Sequence, residues 1–168
     1  MNKKKIVAGA AIAITLIVLF SLISSFTLCV KGKIDFNKED ALFYFKRDNE
    51  DITTITNYLK NLEYTWVTIS FSSDYITVDE DGVIKKESIS DESVKTAINN
   101  LIIEKGYVRI NKNRNTIEFN MHSGFSDVSK GIAYYIDGTN TPNIDYLTRL
   151  EEIEDSWFYY ETKYERIS

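Results

Sequence analysis

Twenty-five consecutive residues, Ile6 to Val30, carry no charge; they follow Lys3, Lys4 and Lys5 and stop at Lys31. A helix of that length, at about 1.5 Å per residue, reaches roughly 37 Å against about 30 Å of bilayer hydrocarbon, so the run is expected to span a membrane with some tilt. A cleaved signal peptide would need an apolar region of only about 7 to 15 residues and a small-x-small cleavage site. This run is longer, Ala8 and Ala10 come too early, and Ser24-Ser25-Phe26-Thr27-Leu28 makes a poor site. An acylated cysteine would need a small residue before Cys29, where Leu28 stands. The expectation is an uncleaved anchor, with Cys29 a small apolar residue near its outer end.

Three lysines and the amino terminus precede the run, and Lys31 and Lys33 follow it. The positive-inside rule then leaves the N-terminus cytoplasmic and residues 34–168 outside a cell membrane. The chain is read as a basic cytoplasmic tip (1–5), a transmembrane helix (6–30), a short linker (31–36) and one extracytoplasmic domain (37–168). One Pro and no Gly/Ser-rich stretch argue against a second domain.

All twenty-five acidic side chains and fifteen of the twenty basic ones lie in residues 34–168, a formal charge of about -10. Bulk electrostatics therefore exclude nucleic acid and anionic lipid as partners of this part, because both require a basic face. It has no cysteine, so its stability must come from a packed core rather than disulfides. With no Asn-x-Ser/Thr sequon either, a bacterial cell surface is the expected setting.

Hydrophobic spacing supplies the elements. Asn37 and Asp40 can cap a short helix through Phe45, although Phe43-Tyr44-Phe45 suits a strand equally. Ile52, Ile55, Leu59 and Leu62 predict an amphipathic helix over 50–62. Tyr64 to Phe71 alternates as a strand, with Trp66, Thr68 and Ser70 on one face and Val67, Ile69 and Phe71 on the other. Tyr75–Val78 and Val83–Lys86 flank Asp79-Glu80-Asp81-Gly82 as a hairpin with an Asp-Gly turn.

The clearest helix runs over 91–105, with Ser90 as N-cap, Gly106 ending it, and Val94, Ala97, Ile98, Leu101 and Ile102 as its apolar stripe. Tyr107–Ile110 and Thr116–Met121 form a second hairpin around a polar turn, and Gly131–Ile136 a further strand. Ile144–Ile153 reads as helical and Ser156–Thr162 as a terminal aromatic strand. The fold class expected is α+β: an N-terminal transmembrane helix, then an antiparallel sheet with two or three amphipathic helices on one face.

Tyr58-Leu59 closing one helix, Lys105-Gly106-Tyr107 closing another, Lys130-Gly131-Ile132-Ala133-Tyr134 with Asp137-Gly138 and Pro142, and the ending Ser156-Trp157-Phe158-Tyr159-Tyr160-Glu161 form a pattern. It resembles a group of small, uncharacterised, membrane-anchored or secreted proteins of Gram-positive bacteria. The resemblance covers most of the extracytoplasmic part and implies location and single-domain architecture. It implies no activity for any residue.

Chemistry is sparse. His122, the only histidine, sits at a strand end beside Ser123, Ser126 and Asp127, the residue types of a hydrolytic triad. Neighbours so close in sequence seldom converge as nucleophile, base and orienter, and Gly124-Phe125-Ser126-Asp127-Val128 lacks the final glycine of a nucleophile elbow. An envelope hydrolase using His122 or a carboxylate pair is thus the alternative reading, behind binding. Asp79, Asp81 and Gly82 match three positions of a calcium loop, but Thr77 and Ser88 stand where its first and last carboxylates belong. Glu151, Glu152, Glu154 and Asp155 read as a hydrated helix end. Neither a metal nor a cofactor is expected, and no catalytic residue is assigned.

Aromatics make up 13% of the chain and concentrate near its end, which leaves them as the remaining signal. In a strand, Trp157 and Tyr159 share one face and Phe158 and Tyr160 the other. Helices on one side of the sheet would leave the second side to present Tyr135, Trp157 and Tyr159 as a recognition surface. The expected function is binding rather than catalysis, with an envelope protein, a cell-wall component or a basic toxin as partner, the last making the chain immunity-like.

Overall fold

A capping box opens the domain. Asn37 Oδ1 accepts from the backbone N–H of Glu39 (2.8 Å) and Asp40 (3.2 Å), while the Asp40 carboxylate accepts the Asn37 N–H at 3.1 Å. These bonds satisfy the first turn of α1 (Lys38–Arg47), which resolves the Phe43–Phe45 stretch as helix. In this computed structural model residues 36–123, 128–137 and 147–163 are described. The Ile6–Val30 run lies outside them, and among the described residues no helix is long and apolar enough to cross a membrane.

Phe36, counted with the linker from sequence, belongs to the core. It is 6% exposed and its ring lies 6.0 Å from those of both Tyr44 and Tyr159. Its carbonyl accepts from Lys130 Nζ (3.2 Å) and the Tyr159 hydroxyl (3.3 Å), so the chain is fixed to the sheet one residue before α1 is capped.

After Asp48, α2 (Asn49–Lys60) buries Ile52, Ile55 and Leu59 of the stripe its spacing predicted, along with Thr56, while Leu62, the fourth of that stripe, follows the helix and is half-buried. Five strands then build most of one sheet: β1 (Trp66–Ile69), β2 (Tyr75–Glu80), β3 (Val83–Ser88), β4 (Arg109–Lys112) and β5 (Thr116–Ser123). It is completed by β6 (Val128–Tyr135), β7 (Leu147–Glu154) and β8 (Trp157–Lys163). The strand order is β3-β2-β1-β4-β5-β6-β8-β7, and every neighbouring pair is antiparallel. Asp81 (φ 53°) and Gly82 (φ 80°) make the β2–β3 turn with two left-handed residues, the geometry that matches the twist of a tight hairpin.

Between β3 and β4 lies α3 (Glu92–Ile98), which passes into a π-helical segment over Asn99–Glu104. Its N-cap is Asp91, not Ser90: the Asp91 carboxylate accepts the N–H of Ser93 (2.8 Å) and Val94 (3.4 Å). Gly106 (φ +76°) ends the helix as expected, with the Tyr107 N–H reaching back to the Leu101 carbonyl at 2.9 Å. All five residues of the predicted stripe are buried. The wider π turn brings residues five apart closer to one line than an α-helix, which would hold them about 140° apart. Asn100 and Lys105 thereby both reach Asp51, at 3.1 and 2.7 Å.

The helices cover one face of the sheet, where Val67, Ile69, Ile76, Val78, Ile110, Ile117, Phe119, Ile132 and Tyr159 join them in the main core. There α1 contacts β6, β7 and β8, and α2 packs on α3. A smaller cluster of Ala133, Tyr135 and Tyr160, with Leu147, Leu150 and Phe158 against it, lies on the opposite face.

Two elements differ from the sequence reading. The Ile144–Ile153 stretch, read as helix, is the edge strand β7 from Leu147 onward. A register shift between Leu147 and Arg149 places Leu147 and Leu150, three apart, on one face, a spacing that imitates a helix, and a second shift lies between Glu152 and Glu154. The first strand stops at Ile69, and Phe71, assigned to its apolar face, has φ 62° and is 85% exposed.

Candidate functional site

Trp66, Asp79 and Ile84 form one row across β1, β2 and β3, because Trp66 is paired with Asp79 and Asp79 with Ile84. Cβ atoms alternate along a strand, so this row and the next, Thr68–Thr77–Lys86, point to the face opposite the buried Val67, Ile69, Ile76 and Val78. Trp66 is 55% exposed and Ile84 74%. Together with Thr68, Thr77, Val78 and Asp79 they line a shallow hollow of about 230 Å³. Behind it, the Lys86 ammonium lies 4.2 Å over the Tyr75 ring.

A second hollow of about 580 Å³ shares Asp79 in its lining. It is lined by Asn61 to Thr65 from the α2–β1 connection and by Asp79, Glu80 and Asp81 from the β2–β3 turn. Four carboxylates face this space. Asp79 Oδ1 accepts the Gly82 N–H at 2.8 Å, and Glu80 pairs with Lys85, whose ammonium it holds above the usual value. Glu63 and Asp81 are exposed and have no ion pair among the described residues. The exposed Trp and Ile thus sit beside an acidic rim with charge left unneutralised.

A second polar concentration lies under the helices. Asp48, 1% exposed, accepts two bonds of 2.7 Å from Arg47, one of 2.9 Å from the Tyr107 hydroxyl, and lies 3.2 Å from Lys105 Nζ. Burial works to raise the Asp48 carboxyl, but these donors outweigh it and hold it below the usual carboxylate range. Burial beside Asp48 also pushes the Tyr107 phenol far upward. With so many donors already on it, this carboxylate has little capacity left for a ligand, and the cluster serves as a joint between the α1–α2 corner and the start of β4.

The aromatic surface expected from sequence is not a surface. Trp157 and Tyr159 do share a face, but it is the helix-covered one: Tyr159 is 0% exposed, and Trp157 packs 5.0 Å from Phe45 and 4.9 Å from Tyr134. Tyr135 faces the other way, 6% exposed and edge-on to Phe158 at 5.0 Å. The three are therefore not brought together. Burial raises the phenols of Tyr135 and Tyr159 well above their ordinary value.

The side chains of His122 and Ser123, with Ser126 and Asp127, lie outside the described residues. The acidic run from Glu151 belongs to β7 and its turn rather than to a helix end. Among the described residues no group of three His, Cys, Asp or Glu could hold a metal ion.

The signal that could have found Trp66 was its company. A tryptophan alternating with Thr68 and Ser70 stands on the polar face of its strand, where burial cannot account for it. Comparison with family models, with curated proteins and with solved structures returned no match.

Proposed function

We propose that the chain is a single-pass membrane protein whose extracytoplasmic α+β domain works by binding a protein partner through the exposed face of β1–β3. The observation that carries this is Trp66, 55% exposed beside Ile84 on a sheet face that no described helix covers. Tryptophan is among the residues that most often dominate binding energy, and an exposed tryptophan beside an exposed isoleucine makes an apolar patch on an otherwise polar sheet face. The uncharged run 6–30, with its leading lysines, supports the anchor, the cytoplasmic N-terminus and the placement of the domain outside a cell membrane.

The test is photocrosslinking in the producing cell with benzoylphenylalanine in place of Ile84, and in place of Phe43, exposed on α1, as the control position. A defined adduct from position 84, retained in carbonate-washed membranes and lost with Trp66→Ala, is the expected result. Extraction of the chain by carbonate sinks the anchor. Absence of an adduct, or an adduct indifferent to Trp66, sinks the binding surface.

A further inference from the structure

We infer that the occupant of the β1–β3 face is a cationic polypeptide segment that sets an apolar side chain into the Trp66–Ile84 hollow and a neighbouring Lys or Arg into the acidic hollow beside it. This rests on the binding role proposed above and adds the chemistry of the partner.

Two observations converge on that occupant. The two hollows share Asp79 in their linings, so a short segment that crosses that residue meets both. Their chemistry differs: Trp66 and Ile84 supply apolar area to the first, whereas Glu63, Asp79, Glu80 and Asp81 line the second against a single paired cation, Lys85. A Lys or Arg there gains two unneutralised carboxylates.

The edge of the sheet argues against the main competitor, a second copy of this chain. Antiparallel pairing of β3 with its own symmetry mate opposes residues of the same face, so a register centred on Lys85 or on Lys86 sets that lysine against its own copy, and like charges directly opposite are destabilising. The formal charge of about -10 on residues 34–168 opposes self-association further and favours encounter with a basic partner.

The experiment uses the full chain in phosphatidylcholine nanodiscs and two fluorescein-labelled, amidated peptides, Lys-Leu-Lys-Leu-Lys and Glu-Leu-Glu-Leu-Glu, titrated by fluorescence anisotropy. The expected result is saturable binding of the lysine peptide alone, weakened about tenfold or more by Trp66→Ala and by Glu63→Gln with Asp81→Asn. Raising NaCl from 50 to 500 mM weakens it similarly. All three positions are exposed, and unchanged circular dichroism melting confirms that the variants fold. Equal binding of the glutamate peptide, or indifference to the carboxylate changes, overturns the inference. Loss of peptide binding with a persisting Trp66-dependent crosslink from position 84 overturns only the cationic assignment; loss of both overturns the binding role itself.

Discussion

The Tyr107 hydroxyl donates to Asp48 Oδ2 across 2.9 Å, tying the residue that follows the helix-ending glycine to the corner between α1 and α2. Arg47 and Lys105 flank the same carboxylate. Deleting one partner of a buried ion cluster typically costs about 3–5 kcal/mol, but Arg47 and Lys105 are part exposed and can regain water. Asp48→Asn is therefore expected to destabilise by about 2–3 kcal/mol. Tyr107→Phe removes one bond to a charged acceptor and is expected to cost about 1.5 kcal/mol. Urea unfolding of both variants measures the order, and a smaller loss for Asp48→Asn than for Tyr107→Phe contradicts it.

The same cluster sets a pH window. Asp48 is held below its usual 3.8, and Glu161 below its usual 4.5 because Tyr159, Lys130 and Arg149 outweigh its burial. Both stay ionised in the folded chain at pH values where the unfolded chain has begun to protonate. Their stabilisation is complete above about pH 5 and disappears as pH falls through their folded values. Lys105, raised above 10.5 by Asp51 and Asp48 against its burial, contributes below that pH and is lost above it. Stability should be flat from about pH 5 to 10 and fall on both sides. Equilibrium unfolding as a function of pH checks this, and Asp48→Asn should shrink the acid limb to the share of Glu161 and weaken the alkaline one, because Asp48 is one of the two carboxylates that raise Lys105.

The elements legible in the sequence were those whose pattern and ends agreed. Ile52, Ile55 and Leu59, and the Val94 to Ile102 stripe ending at Gly106, left one reading each, although the N-cap read at Ser90 is Asp91. The β2–β3 hairpin was equally plain because Asp81-Gly82 supplies two left-handed residues. The β7 strand was not legible: Leu147, Leu150 and Ile153 recur as they would on a helix, yet the bulges leave Leu147 and Leu150 on the smaller cluster and turn Ile153 to the main core. The site was missed for a different reason. Aromatic density drew attention to Trp157 and Tyr159, yet density near a chain end says nothing about which face is covered. α1 covers theirs and no described helix covers that of Trp66.

Two glycines separate steric from conformational need. A Cβ on Gly131 would fall inside contact distance of the Phe119 carbonyl, next to the register shift between Asn120 and His122. Backbone cannot swing aside as a side chain does, so Gly131→Ala should cost about 3 kcal/mol, the upper part of the overpacking range. Gly106 has open space around its missing Cβ and a φ of +76°. Gly106→Ala should cost only about 1 kcal/mol. Asparagine tolerates the left-handed region, so Gly106→Asn should recover part of that loss, whereas Gly131→Asn should be no better than alanine. Chemical denaturation of the four variants decides it.

The two tryptophans should respond in opposite ways to the same substitution. Trp157 contacts Phe45, Phe119 and Tyr134 at ring distances of 4.9 to 6.0 Å, so Trp157→Ala opens a cavity under α1 and should cost about 3–5 kcal/mol. Trp66 stands in water beside Ile84, and Trp66→Ala should change stability by about 0.5 kcal/mol or less while abolishing the crosslink from position 84. Thermal melting and crosslinking of the two variants side by side give a two-by-two outcome. A stable Trp66→Ala that keeps its partner returns the β1–β3 face to ordinary surface. A destabilised Trp66→Ala means that the tryptophan is held by packing, and the hollow it lines with Ile84 is then a feature of the fold rather than a place for a partner.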